Sequence, residues 1–234
     1  MAAASKKHSF FRSSIGLKAI MAVTGLILFG FVIVHMLGNL QIFLPPEKIN
    51  HYAYLLQGNP WLLWTFRAVL ILSVLLHVDA AVRLTRRNRA ARPQDYAQLK
   101  PQTASLASRL MFVGGLVVLA FIIFHLYQFT LMGGPYHGYR AFEAPLPGVP
   151  APVHDVHRMM VAAFSNVWVV LFYIVSLGFL ALHLHHGGAA LLRSLGVGNR
   201  TTFALQNAVA RFFAWSVFLG MAAIPALVFL GYVK

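Results

Sequence analysis

The sequence predicts an all-α membrane protein with five transmembrane helices, and its composition and the length of its apolar runs are the observations that predict it. Of the 234 residues, 59% are hydrophobic and 10% are charged, whereas a soluble domain has about 45–50% apolar and 25% charged residues. A bilayer core about 30 Å thick requires roughly 20 apolar residues of helix, and five runs of about this length occur. The chain has no cysteine, which excludes disulfides, thiolate-bound iron–sulfur clusters and covalent c-type haem.

The five predicted spans are separated by helix-breaking or basic segments. They cover approximately Ile20 to Phe43, Trp61 to Leu84, Leu110 to Leu131, Val161 to Leu184 and Phe212 to Tyr232. The second span contains Arg67 and Asp79, each near an end where a long or paired side chain reaches the headgroups. Asp79 precedes Arg83 by four residues, which predicts an ion pair on the helix surface. We expect one integral-membrane domain over residues 1–234, with the loop from Gly133 to Arg158 folded over the outer face.

Lysine and arginine are distributed unequally between the two sides of the predicted membrane. Fourteen of the 19 lie before span one, between spans two and three, or between spans four and five. These are Lys6, Lys7, Arg12, Lys18, Arg83, Arg86, Arg87, Arg89, Arg92, Lys100, Arg109, Arg193, Arg200 and Arg211. The positive-inside rule therefore predicts a cytoplasmic N-terminus and an outer C-terminus. Topology also accounts for the net charge of +14 without a nucleic-acid partner.

Each of the first four spans carries a histidine among apolar residues, and ionisable residues at that depth are rare and usually functional. His35 and His125 lie about fifteen residues into spans that run outward, so both are predicted in the outer half of the membrane. His77 and His183 lie late in spans that run inward, so both are predicted in the cytoplasmic half. At a rise of 1.5 Å per residue, the two levels should differ by roughly 10 to 15 Å.

Two level pairs of imidazoles favour bis-histidine ligation of two b-type haems, because haem iron takes a neutral imidazole nitrogen on each axial face. His185 and His186 compete with His183, which is the deepest of the three. Small residues could make room for the porphyrin edges or serve ordinary helix packing; they are Gly30, Gly38, Gly114, Gly115 and Gly178. Interhelical hydrogen bonds, or a proton pathway in a transporter, remain alternative roles for the histidines.

Haem propionates require cationic or hydrogen-bonding partners. Arg109, Arg193 and Lys18 are candidates on the inner side. Arg67 and Arg158 are candidates on the outer side. Snorkelling to the headgroups explains most of these residues, whereas the depth of Arg67 makes it the preferred partner.

The ordered set of segments around these residues resembles the single-chain, five-helix, dihaem cytochrome b anchor of succinate:quinone oxidoreductases and fumarate reductases. The resemblance covers nearly the whole chain, and its specificity lies in the order of the segments. They are Phe31 to His35, Asn59 to Arg67, Leu76-His77, Phe124 to Gln128 and Leu182 to Gly187. In that family the first and third helices hold the haem far from the soluble subunits and the second and fourth hold the near one, which is the pairing that depth predicts.

The resemblance implies an electron-transferring subunit that has no dicarboxylate site of its own. Two haem b are the implied cofactors, and a quinone, with menaquinone as the expected type, is the implied substrate. A flavoprotein subunit and an iron–sulfur subunit of the same complex are the implied partners, and the basic cytoplasmic loops are the expected dock for the latter. The implied location is the bacterial cytoplasmic (inner) membrane.

The quinone site is expected near the outer haem, because some relatives place a proton-exchanging carboxylate after the first span. Glu47, His51 and Tyr54 are the candidates in that region. Some relatives also carry a glutamate just before the ligand of the fourth span, where this chain has Leu180, Ala181 and Leu182. A proton path through that position is therefore not expected.

Three other functions stay open at this point. The chain could anchor a nitrate reductase, formate dehydrogenase or hydrogenase, although those anchors distribute their histidines differently among the helices. It could be a small proton-coupled transporter without haem. It could also be a structural anchor whose haem sites are vestigial. The number of haems bound per chain separates the last two from a dihaem cytochrome.

Overall fold

The computed structural model describes residues 13–91, 106–196 and 201–234, and long helices dominate it. The α-helices are α1 Ser14–Asn39, α2 Pro46–Gln57, α3 Pro60–Ala90, α4 Leu106–Arg109, α5 Met111–Leu126, α6 Val156–Phe164, α7 Val167–Ser194 and α8 Phe203–Phe229. Two 3-10 helices cover Leu40–Phe43 and Gly134–Ala141, a π-helical turn covers Tyr127–Leu131, and strands β1 Glu143–Ala144 and β2 Val153–His154 pair antiparallel. Among the described residues, five helical segments are long and apolar enough to cross a membrane: Ser14–Phe43, Pro60–Ala90, Met111–Ala141, Val167–Ser194 and Phe203–Phe229. They contain α1, α3, α5, α7 and α8, and the third continues from α5 through the π-helical and 3-10 turns. The predicted all-α membrane fold is confirmed.

Some residues used in the sequence analysis lie outside the described ranges. They are Lys6, Lys7, Arg12, Arg92, Lys100 and Arg200. The count of basic residues on each side therefore rests on the sequence for these six positions.

The predicted start of span four at Val161 is wrong. Val161 belongs to α6, and α7 begins only at Val167. The break occurs at Asn166, whose side-chain oxygen accepts a hydrogen bond from the backbone N–H of Trp168 at 2.9 Å and caps α7. Because apolar residues continue on both sides of this cap, hydropathy alone does not register the break.

The helix that contains predicted span five begins before Phe212, because α8 begins at Phe203. Arg211 ends the apolar run in the sequence, but the backbone of α8 is helical on both sides of it. The other spans show the same effect, since α1 begins at Ser14 and α3 continues to Ala90. Hydropathy measures the part of a helix that crosses hydrocarbon, whereas backbone hydrogen bonding continues into the interface.

The spanning helices alternate in direction. α1 packs along α3 and α7, α5 packs along α7, and α8 packs along α7 and α1. Leu17 near the start of α1 meets Ala80 and Leu84 near the end of α3, which shows the antiparallel arrangement of these two helices. We call the end of the bundle that holds Leu17 the basic end. The described basic residues at or near it are Lys18, Arg83, Arg86, Arg87, Arg89, Arg109, Arg193 and Arg211.

The opposite end of the bundle, which we call the cap end, is covered by α2, α6 and the β1–β2 hairpin. Asn50 of α2 is 2% exposed; it donates to Asp155 Oδ1 at 3.1 Å and accepts from the backbone N–H of His157 at 3.1 Å. These bonds join α2 to α6. The main core cluster lies here and contains Ile42, Ile49, Met160, Phe164, Val169, Val170, Tyr173, Ile224 and Val228.

The sides of the bundle present apolar side chains, and aromatic residues lie at helix ends. Trp61, Trp168 and Tyr232 are 87%, 74% and 78% exposed. In water such exposure would be unfavourable, whereas amphipathic rings at this position are typical of a membrane interface. Asp79 and Arg83 form the predicted ion pair, with Oδ1 and Nε 3.0 Å apart.

Candidate functional site

The structure brings the four intramembrane histidines together as two pairs. The rings of His35 and His125 have centres 5.7 Å apart and planes crossing at 89°. Those of His77 and His183 have centres 6.2 Å apart and planes crossing at 56°. The four side chains come from four helices, α1, α5, α3 and α7, and the partners are those that depth in the sequence predicts.

Contacts with two glycines show that the two histidine pairs lie at different levels of the bundle. A Cβ atom built on Gly25 would lie 3.4 Å from Cε1 of His77, and one built on Gly115 would lie 3.8 Å from Cε1 of His183. Gly25 precedes His35 by ten residues on α1. At 1.5 Å per residue, ten residues correspond to about 15 Å along a helix. The spacing on α5 is the same, because Gly115 precedes His125 by ten residues.

Each pair spans a gap between helices that face each other across the bundle. Among the described residues, neither α1 with α5 nor α3 with α7 is a closely packed helix pair. The ring centres are 5.7 and 6.2 Å apart. This separation suits two imidazoles that would hold one metal ion, and it is also ordinary for two packed rings.

Direct hydrogen bonding within each pair does not explain the arrangement. In the described part of the chain no hydrogen bond joins the ring of His35 to that of His125, or the ring of His77 to that of His183. Interhelical hydrogen bonds were one alternative role for the histidines, and the structure shows two of them: Thr24 of α1 with His77 of α3, and Tyr173 of α7 with His125 of α5. These bonds are compatible with either role, because each uses only one ring nitrogen.

Two of the histidines are oriented by hydroxyl groups through Nδ1. Oγ1 of Thr24 lies 3.1 Å from His77 Nδ1 and donates to the carbonyl of Ile20 at 2.7 Å. Because the single hydroxyl proton is used in that bond, Thr24 accepts from Nδ1–H of His77. This leaves Nε2 of His77 as the basic nitrogen, which is how metal-binding histidines are commonly oriented.

His125 is held in the same way. The hydroxyl of Tyr173 lies 3.1 Å from His125 Nδ1 and donates to Oε1 of Gln128 at 2.7 Å. At His35 the neighbouring polar group is an amide and not a hydroxyl. Nδ2 of Asn39 donates to the His35 carbonyl at 2.7 Å and lies 3.3 Å from each ring nitrogen. The sequence reasoning missed these supporting residues.

Three buried side-chain atoms among the described residues have no hydrogen-bond partner: Gln128 Nε2, Ser176 Oγ and His183 Nδ1. All three belong to α7 or to the π-helical turn that follows His125. An unpaired polar atom in a low-dielectric interior costs free energy, so the chain leaves polar groups unsatisfied in the region of the histidine pairs. One of these atoms, His183 Nδ1, belongs to a histidine of the inner pair.

The predicted propionate partners occupy different environments. Arg67 is half-buried with its guanidinium 5.0 Å from the Trp64 ring centre, and it precedes His77 by ten residues, about 15 Å, which places it near the level of His35. Arg193 is exposed and lies 5.1 Å from the ring centre of Phe203. The remaining candidates are exposed: Lys18, Arg109 and Arg158, the last stacked on Phe142 at 4.4 Å.

The residues predicted for the quinone site are exposed, whereas the histidines of the two pairs are not. Glu47, His51 and Tyr54 occupy positions i, i+4 and i+7 of α2, so they share one face of that helix at the cap end. In the part of the chain that the structure describes, no hydrogen bond joins them to the histidines of the two pairs.

The glycines that the sequence offers as room for porphyrin edges differ in which side chains lie next to them. Gly115 lies next to His183, whereas the position of a Cβ on Gly38 is 2.7 Å from Tyr52 and that on Gly114 is 3.5 Å from Phe179. A Cβ on Gly178 would meet Phe218 at 4.0 Å, and one on Gly30 would meet nothing within 4 Å. Gly25 was not predicted, although its spacing of ten residues before His35, repeated by Gly115 before His125, is a signal present in the sequence.

No known protein family, curated protein or solved structure matches this chain.

Proposed function

We propose that this chain is the dihaem cytochrome b subunit that anchors a succinate dehydrogenase or fumarate reductase to the membrane and transfers electrons between its iron–sulfur subunit and quinone. The observation that supports this proposal is the presence of two histidine pairs, on four helices, at two levels about 15 Å apart. The ordered segments that resemble this family of anchors support the choice of complex.

The residues have distinct roles in this proposal. His35 and His125 would hold the outer haem, and His77 and His183 the inner one; when bound, the haems supply one-electron transfer. Thr24 accepts the Nδ1 proton of His77 and leaves Nε2 available. The apolar helices around the pairs exclude water.

The same proposal gives each end of the bundle a function. The basic end would face the bacterial cytoplasm and dock the iron–sulfur subunit, which in turn carries the flavoprotein subunit. Arg109 and Arg193 would serve inner propionates, and Arg67 an outer one. The quinone, with menaquinone as the expected type, would react near the cap end, where Glu47, His51 and Tyr54 share a face of α2.

The test is the haem content of purified protein. We expect two protohaems per chain in a pyridine haemochromogen assay. His77→Leu and His183→Leu should each leave one, with the outer haem retained, because removing one axial imidazole abolishes bis-histidine ligation. His35→Leu and His125→Leu should each remove the outer haem instead. His186→Leu is the matched control, since His186 lies one helical turn after His183 and should leave both haems in place.

The outcomes separate the proposals. A chain without haem would favour a transporter or a plain anchor. Retention of both haems in His77→Leu would refute the ligand assignment. Copurification of a flavoprotein and an iron–sulfur protein from native membranes supports the proposed complex, whereas a different set of catalytic subunits would identify another quinone-linked enzyme.

A further inference from the structure

We propose that Tyr173 is a positioning residue for the outer-level ligand His125 and raises the basicity of that imidazole through its hydroxyl group; the inference rests on the proposed function. Tyr173 is on α7, 48 residues from His125, and is 5% exposed. Its hydroxyl oxygen lies 3.1 Å from His125 Nδ1. The contact therefore links two helices inside the bundle.

The direction of the hydrogen bonds follows from the number of protons available. The Tyr173 hydroxyl has one proton, and it is donated to Oε1 of Gln128 at 2.7 Å. The oxygen can then only accept from His125, so Nδ1 carries the proton and Nε2 is the basic nitrogen. Gln128 is 0% exposed, which keeps water from competing for its oxygen.

The ring of Tyr173 is held by aromatic packing, so its hydroxyl has a defined position. It packs edge to face against Phe121 with ring centres 4.9 Å apart, and against Phe164 at 5.0 Å. Phe124 and Phe129 complete this surround at 6.3 and 6.4 Å. In a low-dielectric interior, a hydrogen bond with fixed geometry acts more strongly than the same bond in water.

Helix α7 contributes differently at the two levels of the bundle. Nδ1 of His183, the inner-level histidine of α7, is buried without a partner. His183 follows Tyr173 by ten residues, so α7 supplies a ligand at the inner level and a supporting hydroxyl at the outer level. Removal of the Tyr173 hydroxyl should therefore change the outer haem and leave the inner one unaffected.

The expected effect is on the reduction potential. A ligand imidazole that donates Nδ1–H to an acceptor is more basic at Nε2, and a more basic ligand stabilises the ferric state. Tyr173→Phe keeps the packed ring and removes the acceptor. We expect the equilibrium constant for reduction of the outer haem to rise about two- to tenfold, as for the loss of one hydrogen bond, where tenfold corresponds to about 59 mV for one electron.

The experiment is a spectroscopic redox titration of the purified protein, with electron paramagnetic resonance of the ferric haems. His35→Leu identifies which signal belongs to the outer haem. Tyr232→Phe is the control, because Tyr232 follows α8 and is 78% exposed, so removal of its hydroxyl should shift neither haem. Thr24→Val is the reciprocal variant and should raise only the inner potential, since Thr24 holds His77.

The expected result is two haems in Tyr173→Phe, a raised outer potential, a shifted outer ferric signal and an unchanged inner haem. Unchanged potential and signal at the outer haem overturn the proposal, as does a lowered outer potential. If Tyr173→Phe fails to retain haem, Gln128→Leu decides: loss of the acceptor for the Tyr173 proton must alter the outer potential, and no change overturns the proposal. Absence of haem from the unmodified protein would instead refute the proposed function, so the two failures are distinguishable.

Discussion

Gly25 and Gly115 lie next to the rings of the inner histidines, His77 and His183. A Cβ at Gly25 would lie 3.4 Å from the His77 ring, which is ordinary contact, so alanine fits whereas the extra methyl groups of valine do not. We expect Gly25→Val to displace the ring and lower inner-haem occupancy about tenfold, since overpacking costs about 1–3 kcal/mol. Haem stoichiometry under limiting haem measures this effect.

The control for this substitution is on the same helix. A Cβ on Gly30 meets nothing within 4 Å of the described protein, so Gly30→Val changes helix propensity by the same amount without crowding a histidine. Equal loss of haem in Gly25→Val and Gly30→Val would contradict the role given to Gly25.

The sequence identified the four histidines but not the residues that support them. A histidine is conspicuous in an apolar run because an ionisable group there is costly. Thr24 and Tyr173 do not stand out in the sequence of their helices. They are recognised as supporting residues only by their contacts with His77 and His125, which are 53 and 48 residues away in sequence. Such contacts depend on helix rotation and packing, which periodicity does not specify for helices that are apolar on all sides.

At the scale of secondary structure, the cap end depends on one buried amide. Asn50 bonds both Asp155 and the backbone of His157, and so joins α2 to the first turn of α6. We expect Asn50→Ala to destabilise the cap by about 1–3 kcal/mol, because the buried backbone N–H of His157 and the half-buried Asp155 carboxylate each lose a hydrogen bond. Limited proteolysis in detergent should cut the segment between α5 and α7 faster, with the inner haem retained.

Gln57→Ala is the matched control for this change, since Gln57 is exposed at the end of the same helix. An Asn50→Ala protein as resistant to protease as the Gln57→Ala protein would show that the amide does not hold the cap. The same element illustrates the limit of sequence reasoning. The sequence predicts that the loop from Gly133 to Arg158 covers the outer face, but it places the second half of α6, from Val161, in span four because those residues are apolar.

At the scale of the whole molecule, the distribution of charge predicts orientation. Alkaline phosphatase fused after Lys234 should be active, because the enzyme functions only outside the cytoplasm and the positive-inside rule places this end there. Fusion after Leu195, between α7 and α8, should be inactive. Reversal of both activities would invert the orientation of the bundle and move the basic end away from the proposed soluble subunits.

The sequence by itself determined the all-α membrane class, the number of spans and the two depths of histidine, because hydrocarbon thickness and helix rise are constants that apply to any chain. Only the tertiary structure decided which faces meet: that His77 lies against Gly25, that Tyr173 reaches His125, and that α6 is separate from α7. The physical reason is that depth depends on position along one helix, whereas contact depends on the rotation and packing of several.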